Sequence, residues 1–319
     1  MSYNYDPELA DIIPSLPEGS LDDPVAARTS LSELLGPFNA NLDVSALDIA
    51  DRRVPGSKTA PDLGVRIYSS KQKARVSPGL LYIHGGGFVV GDIDTEHAGA
   101  AGIAEELGIV LVSVDYRLAP ESPYPAGLED CYASLVWMHK YASDLGIDRD
   151  RIGVFGQSAG GGLSAAVALM ARDRGGPGLC FQYLGMPELD DRLQTASMRE
   201  FTDTPMWTQS NAALSWRYYL GDDYQPGGED VPIYAAPARA SAEELKGLPP
   251  AYISAMEFDP LRDEGVLYAL ALMSAGVPVE LHAYPGTFHG SMLARYAAVS
   301  RRQNTEMLDA LRRGLKHVD

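Results

Sequence analysis

A chain of 319 residues, 45% hydrophobic and 22% charged, carries enough apolar material for one large α/β domain and has the composition of a soluble protein. Its 26 basic and 43 acidic residues give a net charge of −17, and no Lys/Arg cluster interrupts that acidity, so nucleic acid and anionic membrane surfaces are not expected as partners. No apolar run reaches the roughly 18 residues of a membrane span, the first eight residues lack a leader's basic and apolar regions, and Cys131 and Cys180 lie outside any C-x-x-C or Cys/His cluster; two buried thiols in a reducing, cytoplasmic setting are expected.

Residues 1–45 show apolar positions at helical spacing, Leu9, Ile12 and Ile13 and then Leu31, Leu34 and Leu35, broken by Pro14, Pro17 and Pro24. No strand pattern precedes Leu47, so this segment is expected to lie outside the sheet as a cover. Strands are then expected at 47–54, 64–69, 79–84, 109–114, 151–155, 180–184, 251–256 and 277–284. Helices fall between most of them, at 95–107, 127–145, 160–174 and 265–275, with a last one at about 300–315. Short unbroken apolar runs such as Leu80-Leu81-Tyr82-Ile83 are typical of strands covered on both faces. The alternation predicts a mostly parallel eight-stranded sheet sandwiched by helices, with an antiparallel start where the first connection is too short for a crossover. Residues 186–248 break the rhythm. They carry prolines, glycines and aromatics (Phe201, Trp207, Trp216, Tyr218, Tyr219, Tyr224) but no strand, and read as an insertion, helical over 207–220, that joins residues 1–45 in a cap on a single domain of 1–319.

Within that frame one stretch carries chemistry. Gly156-Gln157-Ser158-Ala159-Gly160 joins an expected strand to an expected helix, the context in which G-x-S-x-G presents a serine at a strained turn. A side chain at Gly156 or Gly160 would collide with neighbouring backbone, and Ala159 N–H lies beside the nucleophile. A serine hydroxyl needs a base, and the base an orienting group. His97 and His139 fall in helices, His282 in a strand and His317 beside the C-terminus. His289 follows the last strand in Pro285-Gly286-Thr287-Phe288-His289-Gly290, at the sheet edge where ligands gather. The orienting carboxylate is expected after strand 251–256. Asp259, turned by Pro260, is favoured, Glu257 is its rival, and Asp263 and Glu264 read as charges on the first turn of the next helix. His84-Gly85-Gly86-Gly87-Phe88 supplies bare backbone for an oxyanion. It does not fit G-x-G-x-x-G, since Val90 occupies the sixth position, and no Walker-type lysine occurs, so no nucleotide cofactor is expected. No metal site is expected either.

Taken together, His84-Gly85-Gly86-Gly87-Phe88, Asp115-Tyr116-Arg117-Leu118-Ala119-Pro120-Glu121, the serine turn with its extra Gly161, Asp259-Pro260-Leu261-Arg262-Asp263 and Phe288-His289-Gly290 resemble the motif set of the hormone-sensitive-lipase family of α/β-hydrolases. Pro187-Glu188-Leu189-Asp190-Asp191-Arg192, Leu214-Ser215-Trp216, Tyr218-Tyr219-Leu220-Gly221 and the run 285–291 are similar to that family's bacterial heroin esterase branch. The resemblance implies an α/β-hydrolase fold and a carboxylesterase cleaving short acyl groups, acetyl among them, from small-molecule esters. It implies a triad of Ser158, Asp259 and His289, and oxyanion donors at Gly86, Gly87 and Ala159. Asp115 and Arg117 would be a structural pair bracing the glycine loop. Gln157 stands where the wider family has Asp, and Ser291 where it has an aromatic, so substrate range does not transfer from other branches. An amidase or lactonase on the same residues, and a non-catalytic receptor of the same fold, are the alternatives; homo-oligomerisation stays open.

Overall fold

The computed structural model describes residues 3–316 apart from 17–18, 41 and 58–59. Eight strands form one sheet: β1 (Leu47–Val54), β2 (Leu63–Ser70), β3 (Ser77–Ile83), β4 (Val110–Asp115), β5 (Ile147–Gln157), β6 (Phe181–Gly185), β7 (Ala251–Phe258) and β8 (Val279–Phe288). Their order is β1-β2-β4-β3-β5-β6-β7-β8. β2 runs antiparallel to both neighbours, and every pair from β4 onward is parallel. The α-helices are α1 (Pro7–Ala10), α2 (Pro24–Ala40), α3 (His97–Leu107), α4 (Ala126–Lys140), α5 (Ala142–Leu145), α6 (Ala159–Asp173), α7 (Ala196–Glu200), α8 (Gln209–Leu220), α9 (Arg262–Ser274) and α10 (Ala298–Gly314). This is the mostly parallel sheet between helices that the alternation predicts, and the α/β-hydrolase architecture that the resemblance implies.

Side chains of a strand alternate between faces, so an unbroken apolar run has two layers of helix to fill. Leu80 and Tyr82 of β3 face α3 and α10, packing with Ala100, Ile103, Ala104, Met307 and Leu311. Leu81 and Ile83 face the other way, toward Leu128, Leu135 and Met138 of α4 and Leu163, Ala166 and Val167 of α6. On the first face, Tyr82, Phe155, Tyr183 and Tyr252 stack across β3, β5, β6 and β7 with ring centroids 4.7–4.9 Å apart. Such cross-strand ring pairs fix the register of the central strands.

Element bounds differ from expectation at several places. β8 continues to Phe288, because a register shift between Met256 and Phe258 absorbs Pro285-Gly286 as a bulge in the strand rather than ending it. β5 begins at Ile147, earlier than 151, and the helix expected over 127–145 is interrupted at Tyr141 into α4 and α5. Residues 186–248 hold α7, α8 and no strand. They divide by packing. Trp207 and Ala212 pack with Leu21, Ala27 and Leu31 of the N-terminal segment, whereas Leu245 and Leu248 join the core between α6 and α9. Both cysteines are free; Cys131 is buried as expected, Cys180 only partly so. Among the described residues no helix is long and apolar enough to cross a membrane.

Candidate active site

β5 is the central strand, and its last residue leads straight into the tight turn at Ser158, which has φ 55° and ψ −127°. That conformation is costly for a residue with a Cβ and persists only where the surroundings hold it. They do so from two sides. Ser158 N–H donates to Gly185 O at 2.8 Å, and a Cβ on Gly160 would overlap the carbonyl oxygens of Ile83 and His84. Gly160 therefore lets α6 start against the end of β3. The serine hydroxyl stands at the carboxyl edge of the sheet, at the N-terminus of a 15-residue helix.

His289 follows β8 at the same edge. Its Nε2 lies 3.0 Å from Ser158 Oγ and its Nδ1 lies 2.7 Å from Asp259 Oδ2. A carboxylate can only accept, so Nδ1 carries the proton and Nε2 is left to accept the serine O–H. Asp259 is fully buried just past β7, and Leu261 N–H donates to its other oxygen at 2.9 Å. Of the two candidate carboxylates, Asp259 is the one that reaches His289. Glu257 accepts instead from Gly286 N–H at 2.6 Å, which fastens the β8 bulge. Asp263 accepts from Ser197 N–H and Arg262. The expectation for Glu264 needs correction. It is not a solvated helix charge but a buried carboxyl, 1% exposed, that accepts from Leu189 N–H at 2.6 Å, and burial pushes its pKa well above the carboxylate range. The remaining histidines stand elsewhere: His97 bonds Tyr68 and His282 bonds Glu306, while His317 lies outside the described residues.

Gly86 and Gly87 follow β3 with φ 115° and 56°. Gly86 O accepts from Val89 and Val90 N–H, and Gly87 O accepts from Ser215 Oγ at 2.9 Å. These bonds hold the carbonyls of the loop away, while the N–H groups of Gly86, Gly87 and Ala159 donate to no acceptor among the described residues. Three unspent donors thus lie on the two turns that flank Ser158. His84 underpins the loop. It is buried, stacks on Tyr116 at 4.1 Å and sets Nδ1 2.7 Å from Gly85 O, and burial drops its pKa to about 4, so it is a neutral ring.

The expected Asp115–Arg117 pair does not form. Arg117 turns inward to Asp130 of α4, with Nε 2.8 Å from Oδ2 and Nη2 2.8 Å from Oδ1, while Asp115 stays exposed at the end of β4. Asp130 is fully buried, so the bidentate guanidinium compensates its charge and leaves Asp115 without that partner. The sequence offered no sign of this: Asp130 is one acidic residue on a helical face, thirteen positions away.

Other neighbours of the site were legible only as residue types. Trp207 lies across His289 with centroids 5.7 Å apart, and its ring edge is 2.6 Å from where a Cβ on Gly87 would stand. Arg28 of α2 reaches from the N-terminal segment to Val89 O, Ala119 O and Glu121. Ser158 and His289 are only 7% and 8% exposed, and a cavity of about 330 Å³ beside Arg28, Asp92, Asp115 and Glu121 does not reach them. The centre is nearly closed.

A hydroxyl that leans on an imidazole, itself held by a buried carboxylate, is suited to attack on a carbonyl, and the free N–H groups are suited to the oxyanion that results. Residues 80–293, which contain all six of these positions, match the alpha/beta hydrolase fold family. Esterase LipI of Mycobacterium tuberculosis is 40% identical over 293 residues, covering 89% of this chain and 87% of that protein. Carboxylesterase NlhH of the same organism is 40% identical over 291 residues, covering 90% and 88%. Among solved structures, the protein named Bacterial Heroin Esterase matches with a TM-score of 0.95 at 49% identity, covering 98% of both chains. The chain belongs to the alpha/beta hydrolase fold family, among its hormone-sensitive-lipase-like esterases.

Proposed function

We propose that this protein is a serine carboxylesterase that hydrolyses short-chain acyl esters, acetyl esters foremost, through an acyl-enzyme on Ser158. The observation that carries this reading is the unbroken chain from Ser158 Oγ through His289 to Asp259. Ser158 Oγ attacks the ester carbonyl carbon as His289 Nε2 takes its proton, and Gly86, Gly87 and Ala159 N–H receive the oxyanion. The bond from carbonyl carbon to alkoxy oxygen then breaks, and His289 passes its proton to the departing alcohol. Water adds next, giving one proton to His289, and the second tetrahedral species expels Ser158 Oγ, which regains that proton as the acid leaves.

The acyl preference is supported by the bulk crowded around His289. Trp207 covers it, Met186 Sδ accepts from Gly290 N–H at 3.5 Å, and the end of Met206 lies near Gly290. Residues 1–45 and 186–248 serve as the cap over this centre in our reading. Support comes from Asn211 of α8, which accepts from Leu21 N–H and donates to Gly19 O, joining the two segments beside Trp207.

Ser158→Ala is expected to fold normally and lose kcat by about 10⁶-fold, with no labelling by an organophosphonate. Activity of that variant within tenfold of the unaltered enzyme would sink the assignment. Across p-nitrophenyl esters from acetate to decanoate, kcat/KM should be greatest at the short end. A maximum at decanoate would refute the acyl preference alone.

A further inference from the structure

The segment that leaves β6 passes directly under the nucleophile. Glu188 N–H donates to Ser158 O at 3.0 Å, and Gly162 is a glycine because a Cβ there would overlap Glu188 O. The Glu188 side chain points into the protein and is fully buried. Neither of its carboxyl oxygens completes a hydrogen bond. Its polar neighbour is Ser215 of α8, also fully buried, whose hydroxyl acts on the Glu188 carboxyl. The two groups stand outside hydrogen-bond geometry in this structure, and the single proton of Ser215 is directed at Gly87 O, at 2.9 Å. What Ser215 has left is lone pairs, and a proton that Glu188 itself carries can meet one of them.

We propose that Glu188 is a positioning residue for the oxyanion loop: as the neutral acid it directs its proton to Ser215 Oγ, and Ser215 in turn holds the Gly87 carbonyl so that the Gly86 and Gly87 N–H groups face the carbonyl oxygen of the reacting ester. The proposal rests on the esterase reading of the site. Charge supports it. Burial, which outweighs the opposing pull of the Ser215 hydroxyl and is joined by the Asp259 carboxylate beyond β7, raises the Glu188 pKa to about 8. The other titratable groups that face it are Glu264 on α9, Tyr219 on α8 and Tyr116 beyond β4, and none of them is a cation. Of the neighbouring carboxyls, only Asp259 is held by both an imidazole and a backbone N–H. Two charges so close in a dry interior oppose each other, so Glu188 keeps its proton. Once ionised it would compete for the Ser215 proton, release Gly87 O, and put negative charge beside the developing oxyanion.

The test is a pH profile of kcat on p-nitrophenyl acetate for the whole enzyme and four variants. Glu188→Leu and Ser215→Ala are expected to lower kcat about 10- to 100-fold with KM within about twofold, as for a misaimed oxyanion donor. Glu188→Gln, which keeps a donor but cannot ionise, is expected to recover most of that loss. The unaltered enzyme should decline above pH about 8, and Glu188→Gln should not. The double variant Glu188→Leu/Ser215→Ala should be no slower than the slower single variant, because both break one relay. Parallel alkaline declines for Glu188→Gln and the unaltered enzyme, fully additive losses, or kcat within twofold for Glu188→Leu would each overturn the proposal. Organophosphonate labelling separates the two readings. A Ser158 that stays unlabelled in the unaltered enzyme defeats the esterase reading, whereas stoichiometric labelling with coincident pH profiles defeats only the role of Glu188.

Discussion

The turns at Ser158 and at Gly86-Gly87, which meet at the proposed reaction centre, are built on opposite principles. The turn at Ser158 is held by backbone: strand β5 ahead, helix α6 behind, Gly160 against the carbonyls of Ile83 and His84, and Ser158 itself at φ 55°. The turn at Gly86-Gly87 is held from behind by groups that come from elsewhere: Tyr116, stacked on His84 and donating to His84 O, Ala119 N–H on Phe88 O, and Ser215 from α8 on Gly87 O. Backbone constraint admits few residue types, so it is written locally. Support from a distance admits many, and only the folded chain brings the partners together.

The sharpest way to break this contrast is to add one carbon to the first turn. Gly160→Ala must push α6 off the end of β3, since both obstructing atoms are backbone carbonyl oxygens that cannot rotate away. Displacing a nucleophile by about 1 Å can cost about 100-fold in rate, and that loss of kcat is the least expected here. Gly102, inside α3 with nothing near its missing Cβ, is the control. Gly102→Ala should leave kcat alone and stabilise the protein by up to about 1 kcal/mol. Thermal melts and kcat measured on both variants check the pair, and equal effects would erase the distinction.

The same contrast explains what could be read in advance. The eight strands, their parallel order and the serine turn all follow from short-range signals: apolar runs covered on two faces, glycine at fixed offsets, a strand meeting a helix. His289 and Asp259 were accessible because each follows a strand at one sheet edge, although the sequence left Glu257 open beside Asp259. The Asp115–Arg117 pair that the resemblance implies does not form, because the guanidinium finds a fully buried carboxylate on α4, a partner that no short-range signal marks. Glu264 differs from expectation because a first-turn helix acid is ordinarily solvated and only the passage of 186–190 over α9 buries it. Trp207 gave no sign of facing His289, since an aromatic in an insertion looks the same whether it fills a core or covers a site.

Next in size is the bidentate pair itself. Arg117→Ala leaves the Asp130 charge buried without compensation, and removing one partner of such a pair typically costs about 3 kcal/mol or more. Arg117→Lys should rescue only part of this, because a point charge cannot span both carboxylate oxygens and Arg117 also donates to Ala126 O. Denaturant melts of the two variants measure it. If Arg117→Ala is as stable as the unaltered protein, the buried Asp130 carboxylate does not depend on its guanidinium partner.

The smallest expected effect bears on the support behind the Gly86-Gly87 turn and can be read without any substrate. Glu188 has its folded pKa raised to about 8 from an ordinary 4.5, so the folded protein keeps a proton that the unfolded chain gives up. The stability this contributes is present in full below pH 4.5 and drains away as pH rises toward 8. Glu188→Gln has no proton to surrender. Its stability relative to the unaltered protein should therefore climb between those two values and level off beyond, reaching on the order of 2 kcal/mol once relaxation around the charge is allowed for. Thermal unfolding of both proteins at intervals from pH 4.5 to 9 follows the gap. Its direction is what matters: a gap that shrinks with rising pH would mean that the folded state favours a charged Glu188. Then Ser215 would receive no proton from Glu188 and would hold Gly87 O without that support.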